Sequence, residues 1–143
     1  MSHRLEVPMG RLALVAGLVS IITLGFIGSV QADTVTIEML GGPGQGDFRF
    51  SPVEVTVKMG DTVEWINMSP SPIMHTATYG MGAGDPMSGF FFDSGLMATG
   101  ETYSITLTRM GTYHYYCIPH EFLDMRGILT VGHFQNEAVQ NEF

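Results

Sequence analysis

The chain reads as an all-β domain, a Greek-key β-sandwich or barrel of seven to eight short strands, and three observations predict it. Apolar and polar residues alternate with a period of two through most segments. Glycine and proline, 18 and 7 of the 143 residues, punctuate those segments at short intervals. No stretch beyond residue 32 carries a helical period. Short alternating segments between regular turn signals belong to a sandwich or a closed barrel.

The segments follow in order. Arg4 and Arg11 precede an uncharged run from Leu12 to Val30, and Val30-Gln31-Ala32 puts small residues where an exporting peptidase reads. Residues 1–32 are therefore read as a secretory signal peptide cleaved after Ala32, which places the protein in the periplasm. The alternative is an uncleaved membrane anchor, since nineteen residues rising about 1.5 Å each come close to the roughly 30 Å of a bilayer core. Gly17, Ser20, Thr23 and Gly28 dilute that run. Residues 33–132 then form one domain, and 133–143, polar and unpatterned, a flexible tail.

Within the domain, Thr34 to Leu40 alternates as a half-buried strand does, and Gly41 to Asp47 is a loop by composition. Val53 to Lys58 and Thr62 to Asn67 flank the turn Met59-Gly60-Asp61 and are expected to pair as a hairpin. Ser69-Pro-Ser-Pro72 delivers His75, at the start of a short strand to Tyr79. Gly80 to Gly89 is a long loop, and Phe90 to Phe92 a short buried edge. Glu101 to Thr108, Thr112 to Cys117 and Gly127 to Val131 complete the set. On the strand entering Cys117, Tyr113, Tyr115 and Cys117 share the inward face, leaving His114 and Tyr116 outward.

Composition narrows the function. The part after residue 32 holds four basic residues against thirteen acidic ones, a formal charge of −9. Affinity for phosphate is built on Lys and Arg, so nucleic acid is excluded as a partner. An acidic surface is instead steered towards a basic protein at low salt. Cys117 is the only cysteine. In an oxidising compartment a lone thiol needs an occupant, and a metal bond is one.

The stretch around that thiol supplies the metal. Cys117, His120 and Met125 set a thiolate, an imidazole and a thioether close together in sequence. Thiolate and thioether favour Cu(I), and imidazole accepts either oxidation state; a second histidine would complete a His2Cys set with a weak axial methionine. Zinc is the weaker reading, because structural zinc sites draw on several cysteines.

With these residues in view, the chain resembles the cupredoxins, small blue copper proteins of the plastocyanin and pseudoazurin kind. The resemblance is carried by Phe50-x-Pro52, Gly60-Asp61-Thr62-Val63-x-Trp65-x-Asn67, His75, Tyr115-x-Cys117-x2-His120-x4-Met125 and Gly127-x3-Val131, across about residues 48 to 132. It implies one type 1 copper ion, with His75, Cys117 and His120 as strong ligands and Met125 as the axial one. It also implies single-electron transfer between protein redox partners by a monomer that is not an enzyme. Thr76 stands where the family often has Asn, and a hydroxyl makes fewer tethering bonds than an amide.

Rival readings have weaker support in the residues. A copper chaperone or storage module would use Met74, Met81, Met87 and Met97, but scattered methionines are usually gap-fillers or adaptable surface. A multicopper oxidase or nitrite reductase needs extra ligands, and no His-x-His pair occurs beyond residue 32. A binuclear copper site needs a second cysteine, and Glu121 or Asp124 would replace Met125 only in a carboxylate variant. His133 is read as solvated.

Overall fold

A computed structural model describes residues 31–132. Among these residues eight strands run in order: β1 (Thr34–Gly42), β2 (Gly46–Ser51), β3 (Glu54–Lys58), β4 (Thr62–Asn67), β5 (Thr78–Tyr79), β6 (Thr102–Thr106), β7 (Gly111–Tyr116) and β8 (Arg126–Gly132). A 3-10 helix over Ile118–Leu123 separates β7 from β8. The strands form two four-stranded sheets, ordered β2-β1-β4-β6 and β3-β8-β7-β5. The expected sandwich is present, with its apolar positions facing inward from both layers.

The expected hairpin is not. β3 pairs in parallel with β8, and β4 in parallel with β1 and antiparallel with β6, so the turn at Met59–Asp61 crosses from one sheet to the other. The reason lies in the side chains. Val55 and Val57 must be buried, as must Val63 and Trp65, and placing the two strands in opposing layers lets each row cover the other. Gly60, at φ +98°, makes the tight reversal. The Asp61 carboxylate then accepts the amides of Lys58 (2.9 Å) and Asp33 (3.0 Å), which holds it below its usual pKa range through the Asp33 bond first.

Other boundaries also shift. β2 begins inside the stretch read as loop, and only Thr78–Tyr79 of the His75 segment are strand. Of Phe90–Phe92, Phe92 alone is buried; Phe90 and Phe91 are exposed. Residues 1–30 of the signal or anchor segment, and the tail, lie outside the described residues. No helix among those described is long and apolar enough to cross a membrane.

The core is aromatic at its centre. Tyr115 meets Phe50 and Trp65 edge-on, at centroid distances of 4.6 and 5.4 Å. Opposite it on β8, Gly127 leaves room that any Cβ would take from the Tyr115 ring. Asp33, Asp61 and Gly132 gather at one end of the sandwich, through the bonds of Thr62 to Asp33 and of Met59 to Gly132. Cys117 and His75 lie at the other.

Candidate metal centre

His75 enters from the irregular stretch between β4 and β5, and its surroundings fix it from every side. Asn67, the last residue of β4, is fully buried; its amide donates to the carbonyls of Ile73 (3.0 Å) and Met97 (2.8 Å), and its oxygen accepts the Ser69 amide (2.9 Å). The His75 backbone exchanges two further bonds with Met97. Its ring Nε2 lies 2.8 Å from the Ser69 hydroxyl, which itself donates to the Met39 carbonyl at 3.4 Å. With the hydroxyl proton on Met39, the imidazole can donate from Nε2 and keep the Nδ1 lone pair for a metal. An outer hydrogen bond of this kind orients a metal-binding histidine and sets its tautomer.

Cys117 and His120 come from the other side of the site. Cys117 follows β7 with its side chain directed inward, and the backbone then closes on itself. His120 donates to the Cys117 carbonyl (3.2 Å), Met125 to His120 (3.3 Å), and Cys117 to Met125 (3.0 Å). Asp124 turns the chain at φ +61°, the left-handed region that Asp tolerates better than most residues. Met125 is thereby buried in the core beside Cys117.

These elements bring three donor atoms together. Cys117 Sγ lies 3.6 Å from His75 Nδ1 and 3.4 Å from His120 Nδ1, and the two nitrogens are 3.1 Å apart. A circle through three points so spaced has a radius of about 2.0 Å, close to a metal–imidazole bond of about 2.0 Å and a metal–thiolate bond of about 2.3 Å. His75, Cys117 and His120 could together hold one metal ion. One thiolate and two imidazoles suit copper.

Protonation in this structure agrees with that use. Burial, reinforced by the nearby His120, pushes the His75 pKa from 6.5 down to about 4. Burial also lowers His120. Both rings are thus kept neutral, as a metal requires. Burial raises the Cys117 thiol, against the Thr76 amide that donates to its sulfur at 3.4 Å. A bound cation would supply the charge that removes the thiol proton.

Two contacts of the His120 loop are not legible in the sequence. Phe48, on β2, stacks on the His120 ring at 4.1 Å and 24°, with Gly41 leaving the space its ring occupies. Glu121 pairs with Arg126 (3.1 Å) and accepts the Ala83 amide (3.0 Å), tying the loop to the long 80–89 segment. Ser69 is equally silent as a partner of His75. Nothing local marks these residues, because each acts across the fold through contacts that no short motif encodes.

One expectation changes, and one is met. Tyr116 does point away from the core, yet it is 1 % exposed, because the 80–89 segment covers it and Ser88 bonds its hydroxyl at 2.7 Å. Thr76 does tether the two ligand segments: its hydroxyl accepts the Ile118 amide at 2.8 Å. His114 stays on the outer face, away from the three donors. Met97 is a core residue while Met74, Met81 and Met87 are exposed, in keeping with filler and surface roles.

Comparison with known proteins agrees with this geometry. Residues 37–132 match the family model of copper binding proteins, plastocyanin/azurin family. The chloroplastic plastocyanin of Chlamydomonas reinhardtii is 35% identical over 130 residues, covering 89% of this chain and 86% of its own. The plastocyanin of Scenedesmus fuscus is 34% identical over 100 residues, 68% of this chain and 98% of its own. Among solved structures, the reduced form of an amicyanin mutant superposes with a TM-score of 0.54 at 28% identity, over 73% of this chain and 87% of its own. A nitrite reductase from Thermus scotoductus matches over only 23% of its chain, with a TM-score of 0.54 at 28% identity and 71% of this one. With its fold, its donor set and these relatives, the chain belongs to the plastocyanin/azurin family of copper-binding proteins.

Proposed function

We propose that the protein is an exported, periplasmic carrier of single electrons, with His75, Cys117 and His120 as the strong ligands of one type 1 copper ion and Met125 as its axial ligand. The observation that carries this reading is the triangle of one sulfur and two Nδ1 atoms, each pair 3.1 to 3.6 Å apart. The copper ion supplies the one-electron couple between Cu(I) and Cu(II). The chain's part is to hold the donors still. Asn67 and Ser69 lock His75, the Thr76 amide bonds the sulfur, and the sheets fix the distance between the two segments. A site that need not rearrange exchanges electrons with little cost.

Electrons leave through the accessible side. His120 is half-buried, and around its loop Ile118 and Phe122 stand 48 % and 81 % exposed beside Leu123. An exposed apolar patch of this kind suits brief docking with a protein partner, and the acidic charge steers a basic one. Residues 1–32 serve export as a signal peptide in this reading, with an uncleaved anchor as the variant form. The test is voltammetry of the copper-loaded protein. A reversible one-electron wave is expected, together with exchange rates towards a basic redox protein that fall steeply with salt. Copper that binds without a reversible wave would overturn the carrier role.

A further inference from the structure

We propose that the cavity on the outer face of β7 and β8 is a binding site for a small carboxylic acid with an apolar body, its carboxylate held by Arg49. The proposal does not depend on the copper reading above.

The fold builds this cavity from three parts. Its floor is the outer face of the sheet, where β8 presents Arg126 and Ile128, and where His114 on β7 stands opposite Ile128. One wall is the stretch at Gly80 and Met81. It is fixed by the Gly80 amide, which donates to the His114 carbonyl at 2.9 Å, and by Arg126 Nη1, which donates to the Met81 carbonyl. A second wall is made by Arg49 and by Val53, whose carbonyl accepts the Ile128 amide at 2.9 Å. The space between them is about 380 Å³, within the range of small-molecule sites. Val53 and Met81 are 48 % and 61 % exposed, so the walls offer apolar surface for a ligand to cover.

Charge selects the class of ligand. Four basic residues follow residue 32, and two of them, Arg49 and Arg126, line this one cavity. Arg126 is already paired, through Nη2 with Glu121 and through Nε with Asp124, both at 3.1 Å. Asp124 also lines the cavity, and its charge is met by that pairing. Arg49 differs. Its Nη1 donates to the carbonyls of Gln45 (3.0 Å) and Asp47 (3.1 Å), and among the described residues no carboxylate pairs with it. Nε and Nη2, the side of a guanidinium that takes both oxygens of a carboxylate at once, hold no bond among those residues. A domain with a formal charge of −9 repels anions at long range, so an anion that stays must be held by close contacts. An inorganic ion gains nothing from Val53, Met81 and Ile128. An acid with an apolar body covers them and meets Arg49 with its head.

The experiment titrates the copper-loaded, reduced protein with 3-phenylpropionate and follows backbone amide resonances by NMR. Acetate and 3-phenylpropionamide serve as probes that lack the apolar body and the charge. Saturable shifts are expected at Arg49, Val53, His114 and Ile128, with half-saturation in the millimolar range that suits so small a ligand. Acetate and the amide should each bind about tenfold more weakly or worse. Arg49→Gln should weaken binding of the acid by about 10- to 100-fold, the factor a charge-assisted hydrogen bond supplies. Arg109→Gln removes the same charge at a position that does not line the cavity, and should bind as wild type does. Val53→Asp sets a carboxylate in the wall and should bind far more weakly than Val53→Asn, a contrast that carries the test even if Arg49→Gln fails to fold. Shifts that do not saturate would overturn the proposal. So would equal binding of acid and amide, acetate binding as tightly as the larger acid, or equal losses in Arg49→Gln and Arg109→Gln.

Discussion

The two segments that meet at the metal differ in how they are held. His75 is fully buried, and its backbone, its ring nitrogen and its neighbours Asn67 and Ser69 are all hydrogen-bonded to the sandwich. His120 sits in a 3-10 helix whose residues are otherwise exposed or half-buried, held by one stacked ring, one ion pair and hydrogen bonds such as those of Ile118 to Thr76 and Ala83 to Glu121. One side is part of the core, and the other is a lid on it. The comparison teaches how a rigid site can still meet a partner: the fixed side sets the geometry, and in the carrier role proposed above the open side passes the electron.

The largest effect should come from removing a whole ligand on each side. His75→Gly leaves a sealed gap in the core, whereas His120→Gly leaves one open to solvent. Added imidazole should restore the visible absorption of copper-loaded His120→Gly and fail to restore that of His75→Gly. Rescue of both, followed by titration, would show that the buried side is not sealed.

Joining the two sides through the metal should also stabilise the fold. A ligand bound only by the native state contributes about 4 kcal/mol at a thousandfold excess over its Kd. For a domain of this size the unfolding midpoint should then rise by roughly 15 to 30 °C in calorimetry. Coincident melting curves with and without copper would mean that the metal does not bridge the two segments.

A smaller effect separates the sides by acid. His75 has a folded pKa of about 4, below the unfolded value of 6.5, so its neutral burial contributes stability that is complete above about pH 6.5 and lost as pH falls towards 4. That shift is worth about 3 kcal/mol in the metal-free protein, read from denaturant midpoints across the window. Replacing Ser69 with Ala would leave Nε2–H buried and unpartnered, costing about 1–3 kcal/mol. It should also weaken copper binding by about 10- to 100-fold in competition titrations. Unchanged affinity would remove Ser69 from the account.

The smallest effect concerns the lid. Protons compete with copper for His120, and Cu(I) tolerates its loss better than Cu(II), so the potential should rise on acidification below about pH 6.5. Burial under Phe48 holds that transition down. Phe48→Ala should move it to higher pH in voltammetry, and an unmoved transition would leave the stacking without a role in shielding the ring.

Much of this is legible in the chain itself. Trp65 and the paired valines announce strands because burial on one face demands alternation, and Cys117, His120 and Met125 announce a soft metal because so few ions want that set. Which strands pair is not legible for Val53–Lys58. Alternation says that a face is buried, and it is silent on whether the partner lies beside it or across the core. Phe48 follows directly on a glycine-rich stretch, Gly41 to Asp47, that reads as loop, although its stacking depends on the room Gly41 leaves. The burial of Tyr116 depends on where the 80–89 segment folds back, which Ser88, Glu121 and Arg126 decide at long range.

The most direct test of the metal centre is the visible spectrum of the purified, copper-loaded, oxidised protein, taken beside that of Cys117→Ser. An intense blue or green band that ascorbate bleaches, and that Cys117→Ser lacks even with copper bound, is the result expected from a thiolate held at Cu(II). A colourless oxidised wild type carrying one copper, or a Cys117→Ser protein with the same band, would contradict it.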